Sequence, residues 1–255
     1  MKDKKFIKGW SPDLPDIRDY KYLVPKYLVK KNPSRVNLTP KCPAVLDQGE
    51  LGSCTANAIA NAHLFNQKKQ KSKKTFLPSR LFIYYNERKL ENTILIDSGA
   101  QIRNGFKTIA NEGSCSEDDW VYNISKFASK PPKNLYEEAL NHQAIKYMRI
   151  TPTLDNLRGC LADGYPFVFG FVVYESMLTD KVAKTGKVPL PTTSDRPLGG
   201  HAVLCVGYSS ARNYFIIQNS WGTNWAKKGY FYLPNEYLTN SNLSDDFWTL
   251  RSVEI

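Results

Sequence analysis

Histidine is scarce in this sequence: there are three in 255 residues, and none falls between residues 100 and 141. The five cysteines, Cys42, Cys54, Cys115, Cys160 and Cys205, form no CxxC pair and no Cys/His metal spacing. That excludes a zinc module, and no metal or cofactor is expected. Because the cysteine count is odd, at least one thiol has no partner within the chain. No window approaches the roughly 18 apolar residues of a membrane-spanning helix; the most apolar stretch, Phe167 to Tyr174, reads as a buried strand. The opening MKDKKFIKGWSPDLPD is basic but has no apolar stretch behind its charges, so no secretory signal is expected. The sequons at Asn37, Asn123 and Asn242 then carry no expectation of glycosylation. Internal repeats are absent. These absences favour a soluble chain in a reducing intracellular compartment or a virion over a secreted one.

Acidic residues are in the minority: 24 Asp and Glu face 35 Lys and Arg, a net charge of +11. Such an excess permits contact with polyanions through a basic surface without selecting one. More than half of it lies in residues 1–40, where five prolines leave no regular element secure, and this stretch reads as an extended N-terminal segment. Hydrophobic residues at 42% and charged residues at 23% are ordinary for a folded chain. At this length a core can form without disulfides.

From Thr55 onward, Ala56, Ile59, Ala60, His63 and Leu64 recur at helical spacing up to the basic run 68–74, which puts Cys54 at a helix start. His63 reads as a helix-face residue, His142 as a surface one. A second helix is predicted from Pro78, a residue suited to a first turn, through Arg88. A third is predicted from Gly99, with Ile102, Phe106 and Ile109 inward, stopping near Gly113. The period then changes. Strands are predicted over 144–150, 166–173, 201–208, 213–219, 229–233 and 248–253, with one helix over 154–162. A helix-rich half followed by a strand-rich half is the α+β pattern.

Cys54 follows the loop Asp47-Gln48-Gly-Glu-Leu-Gly-Ser. A helix start stabilises negative charge through its unpaired N–H groups, so a thiol placed there is expected to have a depressed pKa. Alone, that observation suits a buried inert cysteine as well. The second cluster is Gly199-Gly200-His201-Ala202, opening one strand, then Gln218-Asn219-Ser-Trp221-Gly, closing the next, with Trp225 and Gly229-Tyr230 beyond. With this cluster the chain resembles the papain-like cysteine proteases, cathepsins among them, over residues 34 to 255. His201 lies within the window of about 130 to 150 residues after the cysteine that marks the family, and Asn219 lies just past it. Leu51 and Thr55 depart from the family motif, at positions that take no part in bond breaking.

The resemblance implies a two-lobe α+β fold. The helical lobe spans 41–143 and carries the nucleophile; the β-barrel-like lobe spans 144–255 and carries His and Asn; the cleft lies between them. It implies Cys54, His201 and Asn219 as the catalytic set, Gln48 and the Cys54 N–H as the oxyanion hole, and Trp221 as a shield for the His201–Asn219 bond. It also implies Ser98 and Gly99 as a strip that holds substrate backbone, and Gly170, Gly199, Gly200 and Ala202 around a roomy apolar specificity pocket. The expected activity is endopeptidase hydrolysis of peptide or protein substrates, because the histidine-bearing loop of carboxypeptidase relatives has no counterpart here. The N-terminal extension is 1–40. Within it residues 1–33, at about 3.3 Å each when extended, can reach the cleft from almost any anchor, and they are read as a short autoinhibitory propeptide of a zymogen. A catalytically idle papain-like binding protein, a basic polyanion-binding protein and an acyl transferase remain as alternatives.

Overall fold

The computed structural model of the protein describes residues 9–31 and 33–254. Helix α1 (Lys26–Lys31) and strand β1 (Arg35–Asn37) precede four helices: α2 (Cys54–Lys69), α3 (Arg80–Leu90), α4 (Ile102–Asn111) and α5 (Lys133–Ala139). The second half contains β2 (Ala144–Arg149), α6 (Leu154–Ala162), β3 (Phe167–Tyr174), α7 (Asp180–Thr185), β4 (Pro197–Ser209), β5 (Tyr214–Gln218), β6 (Tyr230–Pro234), α8 (Asn235–Thr239) and β7 (Ser244–Val253). The α+β order holds. No helix among the described residues is long and apolar enough to cross a membrane.

The strands form one antiparallel sheet in the order β2-β7-β3-β4-β5-β6, with β1 paired to the far end of β4. Among the described residues this sheet is not closed, and with the helices packed on it the arrangement is consistent with the expected two-lobe fold. Each outer strand is paired at one point by another segment. The Tyr22 N–H donates to the Arg149 carbonyl of β2, and the Val188 N–H donates to the Tyr232 carbonyl of β6.

Helix α2 sits between the sheet, where it meets β4 and β7, and helices α3 and α4. It is buried almost all round, and its alanines let the neighbours approach closely. Its buried asparagines are held through their amide N–H groups, while Asn61 Oδ1 and Asn66 Oδ1 have no partner among the described residues. Asn61 Nδ2 donates to the Ala44 carbonyl and to Gln218 Oε1, and Asn66 Nδ2 donates to the Leu250 carbonyl. On the sheet, Phe167, Phe169 and Phe247 stack in the core.

The predicted helix boundaries shift for local reasons. Helix α3 begins at Arg80 because the Ser79 hydroxyl caps it, accepting from the Phe82 N–H. Helix α4 begins at Ile102 and not at Gly99: Gly99 is left-handed at φ +72°, and Ala100 is committed to backbone pairing with the N-terminal arm. Helices α5, α7 and α8 have 7, 6 and 5 residues, too few to display a period. Residues 26–31 and 35–37, read as irregular, are held in place by packing on α6 and pairing with β4.

Candidate active site

Cys54 is the first residue of α2 and is fully buried. The loop before it is tied to the loop after β5: the Gln48 N–H donates to the Ser220 carbonyl and the Gly222 N–H to the Leu46 carbonyl. Asp97 holds the same loop from the helical side, accepting from the Gly52 N–H at 3.0 Å and from the Tyr84 hydroxyl at 2.5 Å. Through these bonds the start of α2 is registered against the end of β5.

His201 lies on β4 opposite Phe171 of β3. Its Nε2 is 2.8 Å from Asn219 Oδ1, and the same oxygen accepts from the Ser220 N–H at 2.9 Å. The Trp221 indole stacks on the imidazole with centroids 4.9 Å apart. The Ala202 N–H donates to Cys54 Sγ at 3.2 Å, so the thiol sits against the residue that follows His201. Gln48 is nearly buried; its Nε2 donates to the Leu51 carbonyl at 2.9 Å, and its Oε1 accepts from the Ser220 hydroxyl at 2.6 Å. The structure therefore brings Cys54, His201, Asn219, Gln48 and Trp221 together from segments far apart in the chain.

The cleft between these groups holds the chain's own N-terminal segment. The Gly9 and Trp10 N–H groups both donate to the Gly200 carbonyl, at 3.1 and 3.2 Å. Ala100 pairs with the arm from the other wall, its N–H donating to the Gly9 carbonyl and its carbonyl accepting from the Ser11 N–H. Gly9 lies so near the thiol that an added Cβ would stand 2.6 Å from Cys54 Sγ. The Trp10 ring fills the space that side chains at Gly170 and Gly200 would need: Cβ atoms there would fall 1.9 Å and 2.8 Å from ring carbons. Residues 1–8 of the arm lie outside the described residues.

This covering reverses the expected pKa of Cys54. Burial pushes the thiol up to about 12 against the Ala202 N–H, which favours the thiolate. Burial likewise pushes His201 down to about 4, with Asn219 opposing. The helix start is present, but removal from water outweighs it. With the arm in place burial disfavours the charged form of both groups.

Ser98 and Gly99 stand beside the cleft, and their described hydrogen bonds go to residues other than those of the arm. The Ser98 hydroxyl donates to Thr93 Oγ1, and the Gly99 N–H donates to the Tyr84 oxygen. The backbone pairing falls on Ala100, one residue later. Gly199 pairs with Val173 on β3, and Ala202 pairs with Gly170. Asp246 had no signal in the sequence. It forms the floor of the Trp10 pocket, accepting from Trp10 Nε1 at 3.0 Å and from the Asp13 N–H at 2.7 Å. The pocket thus has a carboxylate at its base, where an apolar lining was expected. His63 is fully buried and in contact with Gln67 Nε2 and the His142 carbonyl. Among the described residues no group of three or more His, Cys, Asp or Glu could hold a metal ion.

The family profile for papain family cysteine proteases matches residues 33–247. An uncharacterised peptidase C1-like protein of Acanthamoeba polyphaga mimivirus is 45% identical over 269 aligned residues, covering 96% of this chain and 86% of that protein. The crystal structure of xylellain, a cysteine protease from Xylella fastidiosa, superposes with a TM-score of 0.93 at 44% identity, over 98% of this chain and 97% of that one. The procathepsin B S9 of Trypanosoma congolense shares the fold, with a TM-score of 0.77 at 15% identity over 99% of this chain and 88% of that one. A profile match over most of the length, with a cysteine held against the residue after a histidine that is bound to an asparagine, leads to one conclusion: this chain belongs to the papain family of cysteine proteases and is a cysteine-type peptidase.

Proposed function

We propose that Cys54 is the nucleophile of an endopeptidase and that the described state is its latent form, with residues 9–13 of the arm lying in the cleft. The observation that carries the reading is the His201 ring held between Asn219 and Trp221 while the Cys54 thiol lies against the next residue. When the arm leaves, water reaches both groups and the desolvation that disfavours their charged forms is relieved. The thiol proton then passes to His201 Nδ1, since Nε2 is engaged by Asn219, giving a thiolate and an imidazolium.

The thiolate attacks the scissile carbonyl carbon and the C=O electron pair moves to oxygen. The Cys54 N–H and the Gln48 side chain supply hydrogen bonds to that oxyanion. Its collapse breaks the C–N bond, and His201 gives its proton to the leaving amine. A water, deprotonated by His201, then attacks the thioester and releases the acid. Ser98 and Gly99 shape the wall that Ala100 presents to substrate backbone, while Gly170, Gly199, Gly200 and Ala202 line the pocket now filled by Trp10. All five cysteines are free, which supports work in a reducing compartment. The basic surface adds attraction to polyanions, and steeply salt-dependent binding would reveal it.

The test is turnover of a fluorogenic peptide library, with labelling by an epoxide thiol inhibitor, for the full chain, an arm-loosened variant and Cys54→Ala. Activity and labelling should rise in the second and vanish in the third. A folded arm-loosened variant that neither labels nor cleaves would overturn the reading.

A further inference from the structure

Arg103, in the first turn of α4, is a buried arginine whose described hydrogen bonds all go to the arm. Its Nε and Nη2 donate to the two oxygens of Asp19 at 3.0 and 2.6 Å, and its Nη1 donates to the Leu14 carbonyl at 2.5 Å. Its backbone N–H donates to Asp13 Oδ1 at 3.1 Å. The Trp248 indole N–H of β7 donates to the other Asp13 oxygen at 2.9 Å. Arg149 of β2 reaches both acids, 3.6 Å from Asp13 and 3.5 Å from Asp19, while also holding Asp245 and Asp246. Donors from three elements of the enzyme body thus converge on two carboxylates that the body does not own. None of these donors bonds Cys54, His201, Asn219 or Gln48 in the contacts described.

Leaving a buried guanidinium without an acid is strongly unfavourable. Displacement of the arm takes Asp19 from the Arg103 guanidinium and Asp13 from its backbone N–H, whereas Arg149 keeps Asp245 and Asp246. The Arg103 fork matches a carboxylate bidentately, and the adjacent pair of N–H donors matches a second one. The arm also shows the path by which a polypeptide enters. Trp10 occupies the pocket and Asp13 is three residues on, a span of about 10 Å.

We propose that Arg103, Trp248 and Arg149 form a carboxylate-binding site beside the cleft. Asp13 and Asp19 fill it in the latent chain, and it opens to acidic residues of an incoming polypeptide once the arm is displaced. The site makes acidic stretches near the pocket-filling residue a selected feature of substrates. This rests on the reading that the arm leaves the cleft for turnover.

The test uses the full-length chain with Trp10→Ala, Asp13→Asn and Asp19→Asn, which loosen the arm and remove its acids, and with Cys54→Ala to prevent cleavage. Binding of a fluorescent peptide of residues 9–20 is compared by anisotropy with the same peptide carrying Asp13→Asn and Asp19→Asn. The acidic peptide should bind roughly 30-fold tighter or more, the effect of a buried, hydrogen-bonded charge pair. Adding Arg103→Leu should remove the part of the preference carried by Asp19 and leave the part that Asp13 carries through Trp248 and Arg149, while Arg103→Lys, with charge but no fork, should lose less. Equal binding of the two peptides, binding of neither, or a preference undiminished by Arg103→Leu would overturn the site. If Arg103→Leu fails to fold, the peptide pair on the parent decides alone. With Cys54 restored, paired substrates with Asp or Asn at that position are assayed for cleavage. Acid-dependent binding without cleavage would break the peptidase reading and leave the site standing; cleavage without acid preference would do the reverse.

Discussion

Truncating Trp10 to alanine should convert the latent chain into an active one. The ring is 7% exposed, enclosed between Gly170 and Gly200, with its N–H on a fully buried carboxylate. Burying a side chain of this size removes about 150–250 Å² from water, worth about 4–6 kcal/mol at roughly 25 cal/mol per Å². The pocket opens to solvent when the arm leaves, so the lower end of the tryptophan-to-alanine range, about 3 kcal/mol, is the fair figure. That lowers the ratio of docked to open chain by roughly 100-fold. The readout is the rate at which an epoxide inhibitor labels Cys54, under conditions where only open chain reacts. Labelling should rise by about two orders of magnitude, or until the open form dominates. Trp10→Phe retains the ring but loses the N–H to Asp246, and should give a smaller rise of roughly 10-fold, the weight of a hydrogen bond to a charged group. A Trp10→Ala chain with unchanged thermal unfolding that labels no faster than the parent would refute the arm as the source of latency.

Further outcomes follow from the same contacts. Asp246 lies beneath the docked arm; burial is the main cause raising its pKa, with the Asp13 carboxylate adding repulsion, and it reaches about 7. A raised value means that the docked form binds more protons at Asp246, so docking is fully supported below the open-state pKa of this group and weakens as pH rises through about 7. The labelling rate of the parent relative to Trp10→Ala should therefore climb between pH 5.5 and 8; a flat ratio would contradict the linkage. Gln48→Ala in an arm-loosened background should lower kcat by about 10²–10³, as removal of an oxyanion donor does, and a loss under threefold would remove Gln48 from that role. Gly105→Ala should destabilise the fold although alanine is the better helix former. Its Cβ would fall 2.3 Å from both Glu87 Oε1 and Ile59 Cδ1, and overpacking of about 1–3 kcal/mol exceeds a propensity gain of about 1. An unchanged melting temperature would show that the neighbours yield freely.

Much of the fold could be read locally. The apolar spacing after Thr55 placed Cys54 at the start of α2, and Leu154–Ala162 was legible as a helix end to end. The continuous apolar run in β3 announced a buried strand. Boundaries failed where a distant partner decided them, as at Gly99 and Ala100, where the arm holds the backbone extended. The positions of Gln48, Cys54, His201 and Asn219 could be inferred from motif and offset, because each is set by its own loop or strand end.

Asp246, Arg103 and Ala100 were invisible as parts of the site, since no local pattern marks a residue whose partner is remote. Trp10 and Asp246 are 236 positions apart. The protonation state of Cys54 was misjudged for the same reason. A helix start is a local property, but exclusion of water is a property of everything packed around the thiol, including an arm that begins the chain. The sequence by itself determined the helix-rich half before the strand-rich half and the family, because these depend on short-range periodicity and short motifs. Only the tertiary structure decided that the cleft is occupied, that its pocket ends in a carboxylate and that burial disfavours charge on Cys54 and His201, because burial and charge pairing arise from segments that meet only on folding.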